Sequence, residues 1–291
     1  MRFQHLSRIA IAAVLVASTA ACGGASGGGP PVAEKPTFPT GTTMSRLAEA
    51  GTIKVGTKFD QPLFGLKALD GKPAGFDVEI AKIIAAKLGI SPDKIEFTEA
   101  PSKVREDVIE QKAVDMVVAT YTINADRRQK ITFAGPYYVA GQDLMVKSDN
   151  TTITGPESLK PTNARVCSVT GSTPAKTIAT MIDPANLTLF DVYSKCADAL
   201  RTGQVDAVTT DNVILSGLVE NGGGAFKLVN KKFTVEPYGI GIAKGDVAFC
   251  DFINQTLKGA EADGSYAAAW KSSLAKVSPD IPVLPPADSC S

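Results

Sequence analysis

Histidine is almost missing from this sequence. The 291 residues contain one histidine, His5, and it lies in a segment that we expect to be removed. A mature chain without histidine has no imidazole ligand for zinc, no Ser-His-Asp or Cys-His catalytic group, and no imidazole switch near neutral pH. The sequence therefore disfavours a histidine-based enzyme, and we expect neither a metal nor a cofactor.

An excess of charge of one sign is also missing. Lys and Arg number 30, and Asp and Glu number 30, so the net charge gives no support to nucleic acid or an acidic membrane as a partner. After the first 22 residues, no apolar run approaches the ~18 residues that a membrane-spanning helix needs. With 44% hydrophobic and 21% charged residues, the composition is typical of a folded globular protein.

The first residues have the pattern of an export signal. Arg2 and Arg8 precede a short apolar stretch at 9–16, and small residues lead up to Cys22. A cysteine directly after small residues resembles a bacterial lipoprotein signal, so we expect removal of residues 1–21 and a lipid anchor on Cys22. Thr19 departs from the Leu or Val usual at its position, and ordinary cleavage that leaves a free cysteine is the alternative.

The segment that follows is rich in glycine and proline. Residues 22–45 have too little apolar surface to fold alone, and we expect them to form a flexible tether. Beyond it, short β-rich runs alternate with amphipathic segments. The predicted strands are 52–56, 94–98, 114–118, 164–169, 187–190 and 205–209, and the predicted helices are 75–88, 102–112, 170–182 and 194–202. This twice-repeated order predicts two α/β lobes, each with a parallel sheet.

Polar residues stand where the predicted strands end. Ligands of open α/β sheets bind beyond the carboxyl ends of the strands. Those ends carry 120–122 (Thr-Tyr-Thr) in the first lobe, and 170–173 and Asp211 in the second. Together with Arg127 these groups suit a zwitterion, because Arg and helix N-termini favour a carboxylate and Asp favours an ammonium.

Four motifs, in order and at fitting spacing, carry a family resemblance. They are GFDVEIAKIIA at 75–85, TYTINADR at 120–127, ITFAGPYY at 131–138, and DGSY at 263–266 with Trp270. Over roughly residues 46–276 the chain resembles the family 3 solute-binding proteins, the amino-acid receptors of ABC importers. With its leader it most resembles the glutamate-binding lipoproteins of high-GC Gram-positive bacteria.

The resemblance implies a periplasmic-binding-protein type II fold, in which two α/β lobes are joined by two hinge strands and the ligand cleft lies between them. We expect the first lobe to comprise residues 46–141 and 237–291, and the second to comprise residues 142–236. The crossings are expected near residues 140–144 and 235–239.

An even number of cysteines after Cys22 favours disulfides in an exported chain, with three possible pairings. In the two-lobed arrangement, Cys167–Cys196 and Cys250–Cys290 would each lie within one lobe. We therefore expect these two pairs, and free buried thiols are the alternative.

The resemblance also implies which residues hold the backbone of an amino acid. Arg127, Thr122, Ser172 and Thr173 would bind its α-carboxylate, and the carbonyl of Thr120 and the carboxylate of Asp211 would accept from its ammonium. Each has a structural alternative. Arg127 could form a surface pair with Asp126 or Glu99, Asp211 could cap the next helix, and the threonine hydroxyls could be simple caps.

Other residues would contact the side chain of the ligand. Lys58 follows the first strand, where family members place such groups, and its ammonium favours glutamate first and aspartate next. An ordinary exposed lysine is the alternative. Many family members place an aromatic ring near the position of Ser102. The absence of that ring here disfavours large or basic ligands. Tyr121 and Gln61 are expected to line the pocket.

The sequence thus predicts a monomeric, non-enzymatic receptor at the outer face of the cell membrane. It would close on an amino acid by hinge rotation and deliver it to an ABC permease. Three alternatives remain: glutamine or asparagine as ligand, a sensor that reports to a membrane kinase, and a dehydratase-like cleft enzyme. The enzyme is disfavoured because the candidate carboxylate, Asp211, is already assigned to an ammonium.

Overall fold

The computed structural model describes residues 30–290. The predicted signal sequence, Cys22 and the first part of the predicted tether lie outside the described residues. The chain up to the first crossing forms α1 Thr43–Ala50, β1 Ile53–Thr57, β2 Asp60–Gln61, β3 Gly65–Lys67, β4 Pro73–Ala74, α2 Phe76–Lys87, β5 Ile95–Glu99, α3 Arg105–Glu110, β6 Met116–Val117, α4 Ala125–Lys130 and β7 Thr132–Ala140. The remainder forms β8 Gln142–Lys147, β9 Val166–Val169, α5 Thr173–Ile178, β10 Leu187–Phe190, α6 Tyr193–Thr202, β11 Ala207–Asp211, α7 Asn212–Asn221, β12 Phe226–Leu228, β13 Glu236–Ile242, α8 Val247–Asp263 and α9 Ser265–Leu274.

Two five-stranded sheets form the centres of two lobes. The first has the order β5-β1-β6-β13-β7 and the second the order β10-β9-β11-β8-β12. In each sheet the strands joined by helices are parallel, while β13 runs antiparallel to β6 and β7, and β8 runs antiparallel to β11 and β12. The two-lobed α/β fold predicted from the sequence is confirmed.

The chain passes between the two sheets twice. It leaves the first sheet at Gly141, between β7 and β8, and returns through residues 229–235, between β12 and β13. At these crossings the sheets lie side by side, because Glu236 pairs with Ala140 at the end of one sheet and Asp211 pairs with Gln142 at the start of the other. The parallel strands of both lobes therefore direct their carboxyl ends toward one cleft.

An aromatic cluster holds the first lobe together and joins three of the sequence motifs. Phe76, at the start of α2, packs against Tyr266 and Trp270 of α9 with ring centroids 5.6 and 5.2 Å apart. The Tyr266 hydroxyl donates to the Tyr137 carbonyl at 2.8 Å. The chain can bend into α2 because Gly75 has φ 132° and lies against the Phe64 carbonyl, where a Cβ would come within 2.4 Å.

Both predicted disulfides are present, with Cα–Cα distances of 5.6 Å for Cys167–Cys196 and 5.8 Å for Cys250–Cys290. The first joins β9 to α6 inside the second lobe. The second ties the C-terminal segment to α8 in the first lobe.

Several predicted elements differ from the structure at their ends. The helix predicted at 102–112 begins at Arg105 and not at Ser102, the helix predicted to reach 182 ends at Ile178, and the strand predicted at 114–118 is reduced to Met116–Val117. The helix α1 and the small β2-β3-β4 sheet were not expected. Part of the expected tether packs on the first lobe, since Phe38 meets Phe252 edge to face at 5.5 Å.

Within residues 30–290, none of the helices combines the length and the apolar character that spanning a bilayer would demand.

Candidate ligand site

The predicted site residues meet in the cleft between the lobes. Lys58 follows β1, Thr120 and Thr122 follow β6, Ser172 and Thr173 follow β9, and Asp211 ends β11. Thr173 is half-buried and the others are buried, although they are polar or charged; Lys58 is 3% exposed and Asp211 is 2% exposed. Polar side chains are buried in this way when they have hydrogen-bond or charge partners. The contacts of each side chain therefore decide what the cleft can hold.

Arg127 spans the cleft. Its helix, α4, is capped by the Asn124 side chain, which accepts from the Arg127 amide at 3.0 Å. The guanidinium donates to the Thr122 carbonyl at 2.6 Å in the first lobe, and to the Thr173 hydroxyl at 3.1 Å and the Gly171 carbonyl at 3.0 Å in the second. It is therefore not the surface residue of the alternative interpretation.

The ion pair of Arg127 is made with a residue that sequence reasoning missed. Glu106 of α3 accepts from its Nε at 3.0 Å, whereas Asp126, a partner considered from the sequence, pairs with Lys176 of the other lobe. Beneath the guanidinium lies Tyr121, whose ring centroid is 5.0 Å from the Arg127 Cζ. Tyr121 thus supports the cleft with its ring face.

Thr120 is held in an unusual conformation by a buried acid. Its φ of 43° lies in the left-handed region, which β-branched residues avoid. Its amide donates to Asp77 at 2.7 Å, and Asp77 also accepts from the Tyr137 hydroxyl at 2.6 Å. Burial raises the pKa of Asp77 to about 7. The family motif at 75–85 therefore has a second role besides packing, because its aspartate fixes the backbone at the floor of the cleft.

Gln61, which was expected to line the pocket, is fully buried and also serves Thr120. Its Oε1 accepts from the Thr120 hydroxyl at 3.0 Å, whereas its Nε2 has no hydrogen-bond partner within residues 30–290. An amide donor therefore remains for a ligand.

Two cations lie at the end of the cleft formed by the first lobe. Lys58 donates to the Ser102 hydroxyl at 2.9 Å. Its pKa is lowered to about 7, first by burial and then by the nearby charge of Arg105. Arg105 is buried as well, and burial followed by the charge of Arg127 lowers its pKa to about 10. Lys58 is therefore not the exposed lysine of the alternative interpretation, and Ser102 is its partner and not a helix cap.

Arg105 was missed by the sequence analysis. Its guanidinium lies 4.1 Å over the Tyr121 ring and donates to the carbonyls of Ala119 at 2.9 Å and Thr120 at 3.3 Å. Within the described residues, neither Lys58 nor Arg105 forms an ion pair. One signal was present in the sequence: an arginine near the start of a predicted helix opposes the helix dipole and calls for another partner.

On the side of the second lobe, Ser172 and Thr173 have different roles. The Ser172 hydroxyl caps α5 by accepting from the Ala175 amide at 3.0 Å, and its own amide donates to the Val169 carbonyl. Ser172, which was expected to bind the carboxylate, therefore caps a helix, and its amide and hydroxyl oxygen already have partners. The Thr173 hydroxyl accepts a hydrogen bond from Arg127. Of these two residues, Thr173 is therefore the one that contacts the guanidinium in the cleft.

Asp211 faces the cleft from the end of β11. The Tyr238 hydroxyl donates to its Oδ2 at 2.6 Å, and its Oδ1 has no partner within residues 30–290. Asp211 precedes α7 but makes no capping bond with its side chain, so the capping alternative is wrong. Its pKa is raised to about 7, first by burial and then by the negative charge of Glu236.

Opposite charges that face each other across a closed cleft between two α/β lobes define a class of protein, the two-lobed receptors for small solutes. A family model of bacterial extracellular solute-binding proteins, family 3, matches residues 53–273. The chain belongs to this family. The family resemblance drawn from the sequence is thereby confirmed, as is the expectation of an exported receptor and not an enzyme.

Individual relatives agree with the family. The glutamate-binding protein GluB of Corynebacterium efficiens is 37% identical over 274 residues, which cover 91% of this chain and 88% of that protein. The ABC transporter glutamine-binding protein GlnH of Bacillus subtilis is 37% identical, with coverage of 79% and 83%. Among solved structures, an ancestral arginine-binding protein bound to arginine has a TM-score of 0.71 at 34% identity, and the comparison covers 77% of this chain and 98% of that one. The type II fold predicted from the sequence is confirmed by such neighbours.

Proposed function

We propose that the protein is the receptor of an ABC importer for an acidic amino acid, with glutamate as the preferred ligand and aspartate next. The observation that carries the proposal is the pair of buried cations, Lys58 and Arg105, which form no ion pair within the described residues. Two buried positive charges without an anion are strongly unfavourable. A carboxylate on the ligand side chain supplies the missing partner.

The backbone of the ligand would be held between the two lobes. Arg127 and Thr122 from the first lobe and Thr173 from the second surround the position of the α-carboxylate, and the unpaired Oδ1 of Asp211 accepts from the ammonium. Charge-assisted hydrogen bonds of this kind contribute about 1.5–3 kcal/mol each. Because each lobe supplies part of the site, binding favours the closed arrangement.

Glutamine is the second candidate ligand, and two observations favour it. Gln61 presents an unpaired Nε2 that suits an amide carbonyl, and a pKa of about 7 leaves a substantial neutral fraction of Lys58 at neutral pH. The relatives reflect the same ambiguity, since one is a glutamate-binding and another a glutamine-binding protein.

The remaining parts of the proposal concern delivery. Cys22 would carry the lipid anchor, and residues 22 onward would connect it to the folded part at the outer face of the membrane. The lobes would comprise residues 46–141 with 237–291, and residues 142–236. A permease would recognise the closed form, and the receptor would act as a monomer. Mass spectrometry of the protein from its native membrane tests the anchor, because a diacylglycerol on Cys22 adds a defined mass.

The ligand is tested by a thermal-shift screen of the twenty amino acids on the folded part, followed by calorimetry. We expect the largest shift with glutamate, a smaller one with aspartate or glutamine, and none with arginine or leucine. Lys58→Met, which keeps the length but not the charge, should weaken glutamate binding and leave glutamine binding within about threefold. Equal affinities of the wild type for glutamate and glutamine would show that the cation pair is not the selector.

A further inference from the structure

A second buried carboxylate lies at the hinge next to Asp211. Glu236 is the first residue of β13, where the chain re-enters the first lobe, and its side chain is 2% exposed. Its Oε1 accepts from the Thr234 hydroxyl at 2.8 Å, and its Oε2 has no partner within residues 30–290. A buried carboxylate oxygen without a donor is unfavourable, and it indicates a group that the ligand completes.

The strand geometry brings Glu236 and Asp211 together. Residues two apart on a strand point to the same face, and Tyr238, two residues after Glu236, donates to Asp211 at 2.6 Å. Thr122 pairs with Tyr238 across the sheet, and its hydroxyl also lies against Glu236. Glu236 thus lies near both Thr122 and Asp211. In the part of the chain that the structure describes, the Asp211 Oδ1 and the Glu236 Oε2 both remain unpaired.

The cations nearby do not neutralise this pair of acids by contact. Arg127 has its ion pair with Glu106, and Arg105 donates to backbone carbonyls. Two carboxylates buried side by side favour a cation between them. Within the described residues no group of three acidic, histidine or cysteine side chains could hold a metal ion, whereas an ammonium carries three donors and needs acceptors of this kind.

We infer that Glu236 is a second acceptor for the ligand ammonium, which it shares with Asp211 from the hinge strand. This inference rests on the proposed function. It makes Glu236 a specificity-determining residue, because a ligand with a hydroxyl in place of the ammonium leaves one buried charge unpaired. It also gives the ligand a direct contact with the hinge strand, in addition to its contacts with the two lobes.

The test compares L-glutamate with (S)-2-hydroxyglutarate, in which a hydroxyl replaces the ammonium, by calorimetry on the wild type and on Glu236→Gln. The variant keeps the shape and removes the charge. We expect glutamate to bind at least about tenfold more weakly and 2-hydroxyglutarate to bind as well as before or better, so that discrimination between the two falls at least about tenfold. Glu157→Gln, an exposed acid of the second lobe, is the control and should change neither.

Two results would overturn the inference: an equal loss of affinity for both ligands, which indicates a purely structural hinge role, or wild-type affinity for both ligands. Thr234→Val separates a ligand contact from a structural role, because it removes the hydroxyl that holds Glu236 and keeps the charge of Glu236. The discrimination of this variant between glutamate and 2-hydroxyglutarate should stay within about threefold of the wild type. If Glu236→Gln does not fold, Glu236→Asp is the substitute, because its shorter side chain withdraws the carboxylate from the ligand. This variant should also lose discrimination between the two ligands, but to a smaller extent. If the wild type prefers another amino acid, the proposal of glutamate as ligand is refuted, but the inference about Glu236 is not. The comparison of that amino acid with its hydroxy acid then decides the role of Glu236.

Discussion

At the scale of the residue, the cleft is controlled by buried groups whose charges depend on one another. Under the proposed function Lys58 binds the side-chain carboxylate of the ligand and Asp211 binds its ammonium. Burial moves the pKa of each group to about 7, downward for the ammonium of Lys58 and upward for the carboxylate of Asp211. Each group must be charged to bind its part of a glutamate. The pH therefore acts on the two ends of the ligand in opposite directions.

We predict that the affinity for glutamate is greatest near pH 7 and falls on both sides. Below pH 7 Asp211 becomes protonated and the ammonium loses its partner; above pH 7 Lys58 loses its proton and the side-chain carboxylate loses its partner. Each limb approaches about tenfold per pH unit. Glutamine needs only Asp211, so its affinity should rise to a plateau. Calorimetry across this range checks the prediction, and Lys58→Met should lack the alkaline limb. A parallel alkaline fall for both ligands would contradict it.

The groups that hold the ligand backbone should be the most sensitive to truncation. Asp211→Ala and Arg127→Ala should each weaken binding by about 3 kcal/mol or more, which is more than about a hundredfold, because each leaves an opposite charge buried without its partner. Arg128→Ala is the matched control, since Arg128 is partly exposed and pairs with Asp288. Calorimetry that places either variant within about threefold of the wild type would refute the assigned role.

The sequence was sufficient to find the residues that stand at strand ends. Lys58 and Asp211 were predicted there, Arg127 was predicted from the motif at 120–127, and all three lie in the cleft. Arg105 was not predicted, because its position depends on where α3 begins, and the helix starts three residues later than Ser102 suggested. Glu236 was not predicted as a site residue either, since its approach to Asp211 depends on the pairing of strands from distant parts of the chain.

At the scale of the element, the first turn of α2 has a task in the cleft. Asp77→Ala removes the acceptor of both the Thr120 amide and the Tyr137 hydroxyl. We expect a loss of about 2–4 kcal/mol in the free energy of unfolding, together with weaker glutamate binding, because Thr120 is released from its left-handed conformation. Chemical denaturation and calorimetry measure the two effects.

Glu79→Ala is the control for this prediction. Glu79 lies in the same first turn and forms a partly exposed pair with Lys82, so its removal should change the free energy of unfolding by less than about 1 kcal/mol. Equal effects of the two substitutions would mean that loss of a charge near the helix start, and not the support of Thr120, explains the Asp77 result.

Elements were predicted well where local pattern decides them and poorly where distant partners do. The helix at 75–88 was found from its apolar spacing, and α2 covers nearly the same residues. The strand predicted at 114–118 is shorter, because pairing with β1 and β13 reaches only its central residues. Nothing local to residues 114–118 reveals the length of that pairing.

At the scale of the whole molecule, contacts outside the ligand position also join the lobes. Asp60 at the start of β2 accepts from the amide of Tyr193 in α6 at 2.7 Å, and Lys176 pairs with Asp126 at 3.0 Å on the surface. The two contacts differ in exposure, and their contributions to closure should differ accordingly. Sequence periodicity predicted two lobes, but such contacts depend on the angle between them, which no local pattern encodes.

We predict that Asp60→Ala weakens glutamate binding by about tenfold, because a charge-assisted bond to a partly buried amide contributes about 1.5–3 kcal/mol. Lys176→Glu should change the affinity for glutamate by less than about fivefold, as expected for an exposed pair. X-ray scattering should show that glutamate reduces the radius of gyration of the wild type, and that Asp60→Ala reaches the same value at a higher ligand concentration. Asp191→Ala, which removes an exposed acid paired with Lys195 beside the same helix, serves as the control. Wild-type affinity in Asp60→Ala would mean that the ligand, held by Arg127 and Asp211, supplies the whole free energy of closure.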